Sequence, residues 1–414
     1  MKRNLFMVSL ILLTFFVISF LTNIIGPLVP DIIESFDLSL TMVALLPFAF
    51  FIAYGVMSIP SGMLIERYGE KVVMVIAFFM SFLGAFLFAF NPSYGMYTVS
   101  LFLIGTGMAM LQVAINPLLR VAGGEEHFAF NSVMGQLFFG LASFLSPLAY
   151  SYLVLNLASG DGDRNFILHL LSGVVPEGLP WISLYWLFAA VSLLMVIIIG
   201  VVKFPRVELK EDEKAGAVET HLELLKKPVV WLFFLAVFCY VGTEQGVANW
   251  ISEFLQTYHG YDPQTTGAKT VSWFWGLMTA GAVLGLIALK FMDSRKVLIG
   301  FTLAAVISLT VALFGPGSTA LIAFPLVGFF ASVMWSIIIS LALNSMDKHH
   351  GSFSGILITG IAGGAVVPLI VGSLGDAIGL RGGMVFLYIT LGYILSVGFW
   401  AKPLITNKTI GGKS

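Results

Sequence analysis

The sequence predicts an all-α integral membrane protein with twelve transmembrane helices arranged as two pseudo-symmetric six-helix halves. Three observations lead there. Of the 414 residues, 58% are hydrophobic and only 10% charged, whereas soluble domains carry about a quarter charged residues; the mean hydropathy is +0.97. Apolar runs of about 20 residues, enough to cross some 30 Å of hydrocarbon, recur along the whole chain. They fall into two sets with matching landmarks, separated by the only extended charged stretch. Helices are the structure such runs can form, because backbone groups facing lipid have to be satisfied within their own segment.

The first span, residues 5 to 28, follows MKRN and resembles a secretory signal, but it is longer than an h-region and lacks an A-x-A cleavage pattern. It is read as a retained helix. The second span, 41 to 63, ends in SGMLIERYGEK, from which the third, 71 to 91, begins. The fourth, 96 to 118, contains LQVAINPLL, and the fifth, 128 to 156, carries Pro147 in GLASFLSPLAY. An outer loop, LASGDGDRNFILHLLSGVVPEGLP, is expected to hold a short surface helix before the sixth span, 181 to 202. KFPRVELKEDEKAGAVETHLELLKKP then reads as a solvated linker with some helix. The seventh span, 228 to 256, contains FCYVGTEQGVANW; the eighth, 267 to 290, leads into MDSRKVL. The ninth to twelfth occupy 296 to 315, 318 to 344, 352 to 375 and 382 to 402, with Pro368 in the eleventh. The organisation is thus a half over 1–202, a cytoplasmic linker over 203–227 and a half over 228–414.

Charge distribution sets the orientation. With the N-terminus inside, 18 of the 21 lysines and arginines fall in inner segments and only Arg164, Lys269 and Arg381 fall outside, which places both termini in the cytoplasm of a bacterial inner (plasma) membrane. The net charge of −1 gives no reason to expect a nucleic-acid partner. The single cysteine, Cys239, excludes an internal disulfide. No G-x-x-x-x-G-K-[ST], H-E-x-x-H or G-x-S-x-G pattern occurs, so neither an enzyme nor a nucleotide-driven pump is expected. No catalytic residue, metal site or cofactor is predicted.

The halves look related. Gly62 near the end of span 2 and Gly285 near the end of span 8 stand 223 apart, and Pro147 and Pro368 stand 221 apart. Parallel repeats of this kind place a binding site at their midplane interface. The offset of 221 pairs Glu244 with Asn23 of span 1.

Ionisable residues within membrane spans are costly and face the bundle interior or a wet cavity. Glu244 is the leading candidate. On an ideal helix it shares about 140° of arc with Gln245 and Asn249, and it could hold a sugar hydroxyl, a sodium ion or a proton. The competing reading makes it a structural hydrogen-bonding group between helices. Gln112 and Asn116 share one face of span 4, just before Pro117, which loosens the backbone. Amides match the adjacent hydroxyls of a neutral sugar without adding charge, although amides also act as interhelical glue; this choice stands for Asn23, Gln112, Asn131 and Gln136, with Gln136 expected to lie deeper than Asn131. Trp250, beside Asn249, is preferred over Trp273, Trp275 and Trp335 for stacking on a sugar face. Asp31 and Asp376 near outer ends are read as anchors or gate contacts.

GMLIERYGEK resembles the loop signature of the major facilitator superfamily: Gly62, Leu64, Arg67, Gly69 and Lys71 fit, while Glu66 replaces an aspartate and Glu70 an arginine. LQVAINPLL, FCYVGTE, MDSRKVL and SGILITGIAGGAVVPLIVGSLGDAIG are similar to the fucose:proton symporter family, and FNSVMGQLFFGLASFLSP is similar to its sodium-dependent glucose transporter branch. The resemblance implies the major facilitator fold and symport of a hexose such as glucose, galactose or fucose by alternating access; the chain is expected to act as a monomer. It implies that Gly62, Glu66, Arg67, Gly69 and Lys71 bias the inward/outward equilibrium. Where the proton-coupled fucose carrier offers acids in spans 1 and 4, this chain has Asn23 and Gln112, which cannot exchange a proton near neutral pH; sodium or a proton at Glu244 is left as the coupling ion. The alternative, suggested by 37 phenylalanines and 17 methionines, is an exporter of amphipathic drugs or lipids.

Overall fold

The computed structural model describes residues 4–158, 166–205, 218–346 and 348–404. Every regular element among them is helical. Twelve stretches are long and apolar enough to cross a membrane: α1 (Leu5–Phe36), α2 (Leu40–Tyr68), α3 (Glu70–Phe90), α4 (Tyr94–Gly123), α5 (Phe130–Ala158), α6 (Pro180–Val201), α7 (Pro228–Ala248), α8 (Pro263–Phe291), α9 (Ser294–Phe314), α10 (Gly317–Leu343), α11 (Ser352–Ile378) and α12 (Leu380–Trp400). The shortest have 21 residues, which at 1.5 Å per residue reach about 32 Å. Short helices at Phe166–Ser172, Val218–Leu225 and Ile251–His259 lie between spans; the first is the one expected in the outer loop. Arg164 and residues 206–217 of the charged linker lie outside the described residues.

Among the described residues the chain gathers into two compact units, one drawn from Met1–Glu208 and Asn249–Ser272, the other from Leu209–Ala248 and Trp273–Ser414. The first unit therefore holds α1 to α6 together with the helix Ile251–His259 and the start of α8.

Several spans are interrupted, and the sequence explains some of the interruptions. Pro27 lacks an N–H and its ring crowds the carbonyl four residues earlier, that of Asn23. The helix Leu5–Thr22 ends there, with Asn23 at φ −96 and ψ 36, and resumes at Ile25. In α11 a 3-10 turn at Gly360–Ala362 precedes the segment carrying Pro368. The α7 helix stops at Ala248, and after Asn249 and Trp250 a new helix begins at Ile251. These breaks pair Asn23 with Asn249 as repeat counterparts, an offset of 226, rather than Asn23 with Glu244. The proline landmarks of α5 and α11 do not carry over to α1 and α7, because the segments between them differ in length.

In lipid, helices associate through close packing and hydrogen bonds rather than the hydrophobic effect. Glycine supplies the close approach. A Cβ on Gly105 of α4 would strike the Phe50 carbonyl of α2, and one on Gly107 would strike the Ala77 carbonyl and Ser81 hydroxyl of α3. In the second unit, Gly242 of α7 lies against Val367 of α11, while Gly363 of α11 lies against the Phe238 carbonyl of α7. Aromatic packing closes one end of the first unit: Phe88 stacks on Tyr97 with centroids 4.3 Å apart, and Tyr185 meets both rings edge-on. The hydroxyls of Tyr97 and Tyr185 share a 2.5 Å hydrogen bond, so two buried polar groups satisfy each other.

The α2–α3 connection is a single residue. Gly69 adopts φ +80 and ψ 162, a region open to glycine and strained for other residues, while its N–H donates to the Ile65 carbonyl at 2.8 Å. Lys71 Nζ then donates to the Gly200 carbonyl at the end of α6 over 2.8 Å, a cation set where helix carbonyls are unpaired. Glu66 and Arg67 are exposed, with the Arg67 guanidinium 5.2 Å from the Tyr68 ring, and a Cβ on Gly62 would meet open space. Gly69→Ala is expected to lower stability by roughly 1–3 kcal/mol and Gly62→Ala to leave it unchanged, as read by thermal unfolding of the protein in detergent. Gly105→Val, which drives a branched side chain into the α2 backbone, is expected to lose more than either.

Candidate functional site

The polar residues predicted in the spans divide by what they already touch. Asn23 is buried, 6% exposed, because the interruption of α1 turns it toward α5. Its Nδ2 donates to Ser143 Oγ at 2.9 Å and reaches Ser19 Oγ at 3.4 Å, and the two serine hydroxyls are 2.6 Å apart. Ser146 Oγ adds a bond to the Phe20 carbonyl at 2.8 Å. Asn23 thus joins α1 to α5 as part of a buried polar knot, the interhelical role set beside substrate binding in the sequence.

Gln112, Asn116 and Gln136 differ. Gln112 is half-buried, and Asn116 and Gln136 are exposed. Among the described residues none of the three has a protein partner for its amide. Four residues apart on the unbroken α4, Gln112 and Asn116 share a face, and Pro117 leaves the Val113 carbonyl without its helical donor. On α5 Gln136 lies five residues further into the span than Asn131, and the two differ in burial: Asn131 is 1% exposed, with Nδ2 unpartnered, and Gln136 is open. The reason is local. Gly135 faces the Phe15 ring of α1, so the next residue, about 100° further round the helix, points away from that contact.

In the second unit Glu244 is half-buried on α7. Its Oε2 accepts from the Tyr240 hydroxyl at 2.6 Å and its Oε1 from Gln245 Nε2 at 3.2 Å. Both donors are neutral, so among the described residues the carboxylate has no cation to balance it. The Tyr240 ring in turn lies 6.0 Å from the Trp335 ring of α10. Sequence reasoning does not single out Tyr240, although its position one turn before Glu244 in FCYVGTE carries the signal. A buried hydroxyl pair, Thr243 with Thr390 at 2.7 Å, ties the same turn of α7 to α12.

The shared helical arc of Glu244, Gln245 and Asn249 does not hold. The α7 helix ends at Ala248, and Asn249 and Trp250 belong to the other compact unit; an ideal helical wheel cannot be carried across that turn. Trp250 is 1% exposed, leaving no open ring face for a sugar in this structure, whereas Trp335 is half-exposed. Asn249 Nδ2 and Trp250 Nε1 are nevertheless buried donors without partners, an arrangement that costs free energy unless something accepts from them. Trp275 is buried and Trp273 is exposed.

One further acid of the spans is held by neutral groups. Asp31 of α1, 7% exposed, accepts from the Tyr150 hydroxyl at 2.5 Å and from Gln264 Nε2 at 3.1 Å.

Known proteins share this architecture. A glucose/galactose transporter of Brucella abortus biovar 1 (strain 9-941) is 31% identical over 402 residues, covering 95% of this chain and 93% of that protein. The L-fucose-proton symporter of Escherichia coli (strain K12) is 27% identical over 384 residues, covering 88% and 86%. A crystal structure of the major facilitator superfamily transporter FucP in the outward conformation superposes with a TM-score of 0.66 at 24% identity, covering 95% of this chain and 98% of that one, a likeness of fold. The family model described as Major Facilitator Superfamily matches residues 11–368. With twelve apolar helices, a glycine-turned α2–α3 connection and that match over most of its length, the chain belongs to the major facilitator superfamily.

Proposed function

We propose that the protein carries a neutral hexose such as glucose or galactose across the membrane by alternating access, as a carrier rather than an enzyme. The observation that carries this reading is the 31% identity, end to end, to a glucose/galactose transporter. The exposed and half-buried amides of Gln112, Asn116 and Gln136, which have no protein partners among the described residues, fit it chemically: each primary amide offers two donors and an acceptor to a vicinal diol without drawing a counter-ion. Asn23 ties α1 to α5 through Ser143. Asn249 and Trp250, whose side-chain donors have no partner, contribute those donors to the sugar when the α7 break rearranges. The alternative, an exporter of amphipathic drugs or lipids, is not favoured by these relatives.

Glu244 is the coupling group in this reading. A carboxylate bonded to two neutral donors can take up a proton or a sodium ion without first breaking an ion pair. The relatedness to an L-fucose-proton symporter favours the proton, and Glu244 then does the work that acids in spans 1 and 4 do in the fucose carrier. Coupling requires that cation and sugar stabilise the same state, since a ligand that binds both states equally shifts neither. The two six-span halves, 1–202 and 228–414, joined by the 203–227 linker, would rock about the site, with the Gly62–Lys71 connection bracing α2 and α3 against α6. The protein would work as a monomer in a bacterial inner membrane with both termini in the cytoplasm.

Uptake of labelled glucose and galactose into proteoliposomes, with a proton or a sodium gradient imposed separately, tests the reading; absence of both accumulation and exchange for every hexose ends it. Gln112→Leu is expected to weaken apparent sugar affinity roughly tenfold or more, since a hydrogen bond is lost and a hydroxyl is left unpaired. Glu244→Gln is expected to abolish gradient-driven accumulation while sugar exchange at equal concentrations persists. Tyr240→Phe, which removes one donor to the carboxylate, is expected to shift the pH profile of uptake without abolishing it.

A further inference from the structure

We infer that Asp31, Tyr150 and Gln264 form a clasp that keeps the end of the transporter remote from its N-terminus shut, and that it has to open whenever the substrate site is exposed on that side. The inference rests on the alternating-access reading above, but on a different part of the molecule. Asp31 stands near the C-terminal end of α1, Tyr150 near the C-terminal end of α5, and Gln264 in the first turn of α8. Odd and even spans run in opposite directions, so all three residues come to the same end of the first unit.

Gln264 reaches that unit as part of the segment 249–272, although it lies between α7 and α8 in the chain. The segment is fastened there. Its helix Ile251–His259 packs on the second half of α1, Ile25–Phe36. Within the segment, a Cβ on Gly267 would strike the Ser252 hydroxyl, so the start of α8 and Ile251–His259 are locked to each other. Two hydrogen bonds then tie it to α1 and α5: Gln264 Nε2 to Asp31 Oδ1 at 3.1 Å, and Ser272 Oγ to the Phe144 carbonyl at 2.5 Å. If the second six-span half moves as a body when this end opens, it has to break these two ties together with the packing of Ile251–His259 on α1.

The chemistry suits a switch. Asp31 is a buried carboxylate, and the charged groups acting on it among the described residues are two more acids, Glu34 and Asp262. Its charge is therefore supported by Tyr150 and Gln264 alone, through charge-assisted hydrogen bonds. When the end is closed those donors replace water; when it is open, water replaces the Gln264 donor. Each state offers the carboxylate a solvation shell, and a half-open state offers none, so the element favours two discrete arrangements.

The test uses the full-length protein in oriented membranes, with Leu28→Cys introduced in a Cys239→Ser background. Leu28 lies one helical turn inward from Asp31 and is fully buried, so its reaction with a membrane-impermeant maleimide from the outer side reports opening. Gln264→Glu, which faces Asp31 with a second carboxylate, is expected to raise the labelling rate about tenfold or more. Gln264→Lys, which supplies a cation, is expected to lower it below that of the Gln264 protein and to slow uptake. Opposite signs from the same position separate a gating effect from simple misfolding. Equal labelling in the two variants, or the reverse order, overturns the clasp. Failure to transport any hexose leaves these labelling rates readable, so it bears on the sugar reading and not on the clasp.

Discussion

The hydrocarbon core contains no water to take over a broken backbone hydrogen bond, and most features of this fold answer to that constraint. Spans have to be helical throughout or be repaired where they are not. The helix is interrupted within α1, α10, α11 and α12 and stops at Ala248 before Asn249 and Trp250, and polar side chains gather at two of these places. At Asn23, Ser146 Oγ donates to the Phe20 carbonyl, while Asn23, Ser19 and Ser143 close a hydrogen-bonded knot between α1 and α5. At Asn249 and Trp250 two buried side-chain donors are left without an acceptor. One break thus carries a satisfied polar knot and the other two unsatisfied donors.

The second demand of the membrane is that helices find one another without hydrophobic help. Glycines at Gly105, Gly107, Gly242 and Gly363 bring backbones into contact, and small hydroxyl pairs such as Thr243 with Thr390 supply the polar glue. These contacts join the helices within each unit. The α2–α3 turn shows how little chain a connection takes: one glycine reverses the direction and one lysine braces the result on the end of α6.

Two carboxylates in the spans, Glu244 and Asp31, follow one pattern. Each is held by a tyrosine hydroxyl and a glutamine amide, with no cation beside it among the described residues. A neutral cradle keeps a carboxylate in place while leaving its charge available to something that arrives, whether a coupling cation or water. An arginine or lysine partner would satisfy the charge permanently and remove that freedom. The pairing of Tyr with Gln at both acids is therefore a means of keeping buried charge responsive.

Much of this was determined by the sequence alone. Run length and hydropathy set the twelve helices, the lysine and arginine distribution set an expected orientation, and Gly62 to Lys71 marked the α2–α3 turn, because each of these depends on local composition or on one residue's φ. The polar candidates were also visible, since any amide or acid within an apolar run stands out. What only the tertiary structure decided was which of them are spent. Asn23 is consumed by Ser143 and Trp250 is buried, whereas the amides of Gln112, Asn116 and Gln136 keep no protein partner among the described residues. The helix that carries Glu244 ends at Ala248, before Asn249, with no proline to announce it, and Gln264 meets Asp31 across 233 residues of chain. Helical periodicity is a property of neighbours in sequence, whereas the partner of a buried polar group is chosen by whichever helix packs against it, and no local pattern records that choice.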